Sequence, residues 1–206
     1  MTRIKLCGLS RPEDILAANE LLPDYIGFVF APKSKRFVDR ETARSLKALL
    51  DSRVKAVGVF VNEAPGTVAG LLESGIIDEA QLHGAETDDY IKTLRGLTSN
   101  PIIQAFCVRS LEDCKKAEAS PADLILLDSG TGSGASFDWS LAKSVKRPYL
   151  LAGGLSPDNA AEAVAKLRPF GVDVSSGIET GGKKDRAKME RFIFEVKRVS
   201  KMSSFA

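Results

Sequence analysis

The 206-residue sequence is poor in the residues from which several kinds of site are built. It has one histidine, His83, so a zinc motif that sets two histidines on one helix face is excluded, and a Ser-His-Asp scheme has only that residue to use. Its three cysteines, Cys7, Cys107 and Cys114, are odd in number and contain no C-x-x-C pair, so neither a disulfide framework nor a structural zinc site is indicated. No charge of one sign dominates. The 29 Lys and Arg against 27 Asp and Glu leave +2, with no basic stripe for nucleic acid or an anionic membrane, so an anionic partner must be bound locally. Long apolar runs are missing too: nothing approaches the roughly 18 consecutive apolar residues of a membrane span. The N-terminal stretch MTRIKLCGLSRPED turns charged too early for a secretory signal, and a cytoplasmic protein is expected.

What is present is regular alternation. A composition that is 44% hydrophobic over this length supports one well-buried core, and residues 1–206 read as a single domain. Short runs of Val, Ile, Leu and Phe recur, each followed by a turn signal and a charged stretch of helical period. Strands are expected near Ile4 to Cys7, Tyr25 to Phe30, Lys55 to Val61, Glu79 to Leu82, Ile102 to Cys107, Leu124 to Leu127, Tyr149 to Leu151 and Gly171 to Val174. Helix starts fall between them: Ser10 with Glu13 as a capping box, Asp39, Ser110 with Asp113, and Ser156 before Pro157. Eight such units at about 26 residues each sit near the compact limit of an α/β fold of the (β/α)8 TIM-barrel type. A doubly wound open sheet also alternates, but usually with five or six strands.

In such a barrel the chemistry lies at the C-terminal ends of strands, with phosphate usually held after strands seven and eight. Strand seven runs into AGGLSPDN and strand eight into DVSSGIETGG. Singly, Gly153, Gly154 and Gly177 would only make tight turns; paired at these two ends, they form a cup whose backbone N–H groups can approach an anion. Strand one brings Cys7 to the rim. A lone cysteine is usually buried and inert, and little of it is thiolate at neutral pH, so its neighbours must decide its role. Strand six ends in LILLD, and Asp128 leaves a run of leucines at the same rim, ahead of a glycine-rich loop. Desolvation there would raise its pKa and keep part of it protonated, as a general acid needs; a loop-capping aspartate is the plainer reading. Strand two leads into GFVFAPKSKRFV, where Arg36 can clamp a carboxylate with two parallel bonds, although three cations within four positions are commonly just a solvated loop. His83, after AQL, is suited to acid/base work, but a solitary histidine at a strand end more often braces a neighbouring loop.

Taken in order, KLCGL (Lys5 to Leu9), GFVFAPKSKRFV (Gly27 to Val38), VGVFVN (Val57 to Asn62), QLHG (Gln81 to Gly84), LLDSGTGSGASFDW (Leu126 to Trp139), LAGGLSPDN (Leu151 to Asn159) and VDVSSGIE (Val172 to Glu179) resemble the phosphoribosylanthranilate isomerase family of tryptophan biosynthesis over essentially the whole chain. The resemblance implies an Amadori rearrangement of a small phosphosugar substrate, without metal or organic cofactor. It implies Asp128 as the acid that opens the ribose ring, Cys7 as the base that takes the C2′ proton, and Arg36 on the anthranilate carboxylate. It further implies phosphate on the amides of Gly153, Gly154, Ser176 and Gly177, Asp173 near a sugar hydroxyl, and His83 lining the site. Two departures stand out: Lys35 sits where proline is common, and the loop after Asp128 looks short; both bear on loop closure. The histidine-pathway isomerase of similar fold resembles this chain less, since its family uses aspartates as acid and base and needs two phosphate cups. A ribulose-phosphate epimerase would need more than one histidine. A phosphosugar-binding barrel without turnover, or a purely structural barrel, is the alternative of another class. The chain is expected to be a monomer or a homodimer.

Overall fold

The computed structural model describes residues 1–128 and 139–202. Eight strands, β1 (Arg3–Cys7), β2 (Tyr25–Val29), β3 (Lys55–Phe60), β4 (Glu79–Leu82), β5 (Ile102–Cys107), β6 (Leu124–Asp128), β7 (Tyr149–Leu151) and β8 (Gly171–Val174), pair in parallel in chain order. β8 pairs back onto β1, with Lys5 opposite Asp173, and this closure excludes the open doubly wound sheet. The helices are α1 (Pro12–Leu21), α2 (Arg40–Leu49), α3 (Pro65–Glu73), α4 (Asp88–Arg95), α5 (Leu111–Ala119), α6 (Trp139–Ala142), α7 (Ala160–Leu167) and α8 (Arg186–Met202). A short antiparallel hairpin, β9 (Glu179–Thr180) with β10 (Lys183–Lys184), follows β8. The glycine-rich loop over 129–138 and the chain end over 203–206 lie outside the described residues. No described helix is long and apolar enough to cross a membrane.

The apolar strand runs follow from burial on both faces of a parallel sheet. Successive side chains alternate. Ile4, Leu6, Ile26, Phe28, Ile125, Leu127, Val172 and Val174 point outward into the main core under the helices, while Val57, Ile103, Leu126, Leu150 and Ala152 fill the barrel interior. Two helix starts are as the sequence predicts: Asp39 Oδ1 accepts from the Thr42 N–H (2.7 Å), and Ser110 Oγ from the Asp113 N–H (3.3 Å). Two are displaced. The Ser10 and Glu13 box gives way to Asp14, whose Oδ2 accepts from the N–H groups of both Ser10 (3.0 Å) and Arg11 (3.1 Å), because Pro12 takes the first helical position. Ser156 and Pro157 open a turn rather than α7, which begins at Ala160. The Asn159 side chain braces that turn, accepting from Ser156 N–H (2.8 Å) and donating to Gly154 O (2.9 Å).

Candidate active site at the barrel mouth

Cys7 ends β1 facing the interior, and its sulfur lies over Gly27, its register partner on β2; a Cβ on Gly27 would come within 2.7 Å of Sγ. Glycine on β2 is therefore what makes room for the thiol. Burial pushes the Cys7 thiol above its ordinary value, and the neighbouring ammonium groups of Lys5 and Lys184 oppose that rise. Asp128 ends β6, its side chain about a quarter exposed, and its Oδ2 stands 3.5 Å from His83 Nε2. The Gln81 amide nitrogen lies 2.8 Å from His83 Nδ1, so with the amide donating, the neutral ring carries its proton on Nε2, toward the acid. His83 and Asp128, separate candidates in the sequence, are thus neighbours.

Arg36 is carried by a loop that folds back on β2: the Val38 N–H donates to Val29 O (2.9 Å), and Phe37 bridges Val29. Its stem lies across the end of β1 at Gly8. The guanidinium makes the planar two-point contact anticipated for a carboxylate, here with Glu179, through Nε (2.6 Å) and Nη2 (2.8 Å). Lys184 Nζ shares Glu179 Oε1 (2.6 Å) and also donates to Ser175 O (2.9 Å). Burial alone would push the Glu179 carboxyl up, but the bonds from Arg36 and Lys184 outweigh it and hold the carboxyl below its ordinary value.

The two glycine loops meet. Gly153 and Gly154 have φ of 83° and 67°, the left-handed region that other residues avoid, and neither N–H has an acceptor among the described residues. Ser176 and Gly177 begin a 3-10 turn after β8, and Gly177 is pressed so closely on the Leu155 carbonyl that a Cβ there would stand 2.0 Å from the oxygen. Asp173 faces the interior from β8 and pairs with Lys5 Nζ at 3.0 Å. The sequence reading missed Lys5, Glu179 and Lys184. Lys5 was legible by parity, since residues two apart on a strand share a face with Cys7. The hairpin that sets Glu179 opposite Lys184 was legible in E-T-G-G-K-K, a glycine-pair turn between two short runs. Among the described residues no group of His, Cys, Asp and Glu is placed to hold a metal ion.

A family model described as N-(5′-phosphoribosyl)anthranilate (PRA) isomerase matches residues 4–195. The N-(5′-phosphoribosyl)anthranilate isomerase of Endomicrobium trichonymphae is 45% identical over 194 residues, covering 92% of this chain and 95% of that protein. The crystal structure of phosphoribosyl anthranilate isomerase from Thermotoga maritima superposes with a TM-score of 0.88 at 38% identity, covering 96% of this chain and all of the other. Another, in complex with reduced 1-(o-carboxyphenylamino)-1-deoxyribulose 5-phosphate, gives 0.86 at 38% identity with the same coverage. With the thiol of β1, the carboxyl of β6 and the paired loops of β7 and β8 on one rim, this chain belongs to the N-(5′-phosphoribosyl)anthranilate isomerase family.

Proposed function

We propose that Cys7 and Asp128 are the base and the acid of the phosphoribosylanthranilate isomerase reaction that this chain catalyses, with residues 1–206 acting as one catalytic domain. The observation that carries the reading is the placement of a thiol and a carboxyl on β1 and β6, across one mouth, so that a bound sugar would meet them from opposite sides. Asp128 gives its proton to the ribose ring oxygen. The C1′–O bond breaks as the anthranilate nitrogen lone pair forms a C1′=N iminium. The Cys7 thiolate then removes the C2′ proton, the C–H electrons form the C1′=C2′ bond, and the iminium electrons return to nitrogen. The resulting enolamine tautomerises to the ketone, 1-(2-carboxyphenylamino)-1-deoxyribulose 5-phosphate. His83 Nε2–H, facing the acid, would stabilise the Asp128 carboxylate left after proton transfer.

Binding groups are assigned on the same footing. The phosphate would sit on the amides of Gly153, Gly154, Ser176 and Gly177, where the N–H groups of Gly153 and Gly154, without an acceptor among the described residues, and the close-set loops suit an anion. Arg36 would take the anthranilate carboxylate, its planar face already pre-set by Glu179. Asp173, with Oδ1 on Lys5, would offer its other oxygen to a sugar hydroxyl. The test is the loss of fluorescence of N-(5′-phosphoribosyl)anthranilate, generated in situ, in excess EDTA. Turnover by the native chain that falls by about 10²-fold or more in both Cys7→Ser and Asp128→Asn is expected. Full activity in either variant would remove that residue from its role.

A further inference from the structure

The base assignment leaves a physical difficulty. A thiol 7% exposed is a poor thiolate, because burial favours its neutral form. The same stretch of barrel holds a second costly group, Lys5, with no exposed surface at all. Burying an ammonium is costly unless it is paired and hydrogen-bonded. Lys5 has Asp173 Oδ1 at 3.0 Å, and Cys7 stands two residues further along β1 on the same inward face, buried like Lys5 itself. The proposed chemistry gives Lys5 no part, since it lies beneath the mouth.

Charged groups from several elements surround the sulfur. β1 supplies Lys5, β8 supplies Asp173, and β10 supplies Lys184, held by Glu179 and by Ser175, whose hydroxyl in turn donates to Cys7 O (3.1 Å). The loop after β2 supplies Arg36, and β2 itself presents only Gly27. Among these described groups three cations, Lys5, Lys184 and Arg36, face two carboxylates, Asp173 and Glu179. One positive charge remains. Each carboxylate is already engaged by a cation, so the anion that completes the cluster is the one group between them able to become anionic, the sulfur of Cys7.

We propose that Lys5 is a positioning residue for the base: its buried ammonium, oriented by Asp173 on the same inward face as Cys7, stabilises the thiolate through its charge. The inference rests on Cys7 as the base, and it deepens that reading without adding a contact to substrate. It also explains why a barrel interior that holds the apolar cluster of Val57, Ile103, Leu126 and Leu150 keeps a lysine: the ammonium supplies to a buried sulfur the stabilisation that water gives a thiolate outside.

The test is a direct titration of the thiolate by its absorbance near 240 nm. It is run in a Cys107→Ser/Cys114→Ser background and taken as the difference from the same protein carrying Cys7→Ser. Replacing Lys5 by Met should raise the Cys7 midpoint by about one pH unit or more, a tenfold loss of thiolate at neutral pH. It should lower kcat by a similar factor with little change in KM. Lys5→Met leaves Asp173 buried without its cation and can fail to fold; Lys5→Met/Asp173→Asn removes both charges, and its midpoint should move in the same direction by less. Lys5→Arg, which keeps a cation, should recover part of the shift. A folded variant without the Lys5 cation whose thiolate midpoint matches the native one would overturn the proposal, whatever its activity. Full activity in Cys7→Ser would instead remove the base assignment and leave the thiolate shift standing, so the two failures are distinguishable.

Discussion

The contact between the two glycine loops can be tested by a single methyl group. In Gly177→Ala the new Cβ would stand 2.0 Å from the Leu155 carbonyl oxygen and within 2.9 Å of Ser156 Cα. Ordinary contact begins near 3.4 Å, so the loops after β7 and β8 must part by more than 1 Å. The obstacle is backbone on both sides, with no side chain to swing aside. Phosphate held on amides from both loops would then lose the simultaneous geometry of its donors, and a misplacement of this size costs about 10²-fold in systems that depend on positioning. The loss should appear mainly in KM and in the inhibition constant of inorganic phosphate. kcat should fall less, since Cys7 and Asp128 are carried by β1 and β6 and not by the altered loops. Steady-state kinetics on the fluorescent substrate, with phosphate as competitor and circular dichroism to confirm folding, reads all three. A folded Gly177→Ala protein with unchanged KM and unchanged phosphate inhibition would refute the two-loop cup.

Arg36→Ala should raise KM by about tenfold or more through loss of a two-point charged contact, with kcat reduced less; equal losses in both, measured on the same substrate, would instead make the arginine part of the transition-state machinery. Glu179→Gln should lower stability at pH 7 by about 1.5 to 3 kcal/mol, the range for hydrogen bonds to charged groups. The folded carboxyl sits below its ordinary value near 4.5, so its stabilisation is complete above that value and is lost as pH falls through the lower, folded one. Melting curves of native and variant protein should accordingly differ at pH 7 and converge in acid. A gap that stays constant to low pH would place the effect of Glu179 in packing.

The barrel and the placement of its rim were legible because both depend on local pattern. A parallel strand buried on two faces reads as a run of Val, Ile and Leu, and eight such runs with helical spacers leave closure as the natural solution; even Glu79 to Leu82 and Gly171 to Val174 keep their predicted bounds. Caps were less secure because several residues compete for the same orphan N–H groups. Asp14 reaches both Ser10 and Arg11, and so displaces Glu13 by one position that sequence spacing alone does not distinguish.

The candidate site divides along the same line. Cys7, Asp128, His83 and Arg36 are each visible as an unusual residue at a strand end or in the loop after it, and strand ends are local. What those residues do to one another depends on register around the closed sheet, which no local pattern contains. Lys5 and Asp173 are 168 positions apart and become partners only because β8 closes on β1 in a register that sets them side by side. Arg36 and Glu179, 143 apart, meet because the loop after β2 and the hairpin after β8 rise from strands on either side of β1. One pair joins β1 to β8, and the other spans the end of β1. That strand carries the thiol and Lys5, while its two neighbours and their loops supply the other charges around it, so on the proposal above the ionisation of Cys7 depends on barrel closure itself. A substitution that loosened the β8–β1 seam, without touching Cys7 or any group above it, should weaken the base before it weakens binding.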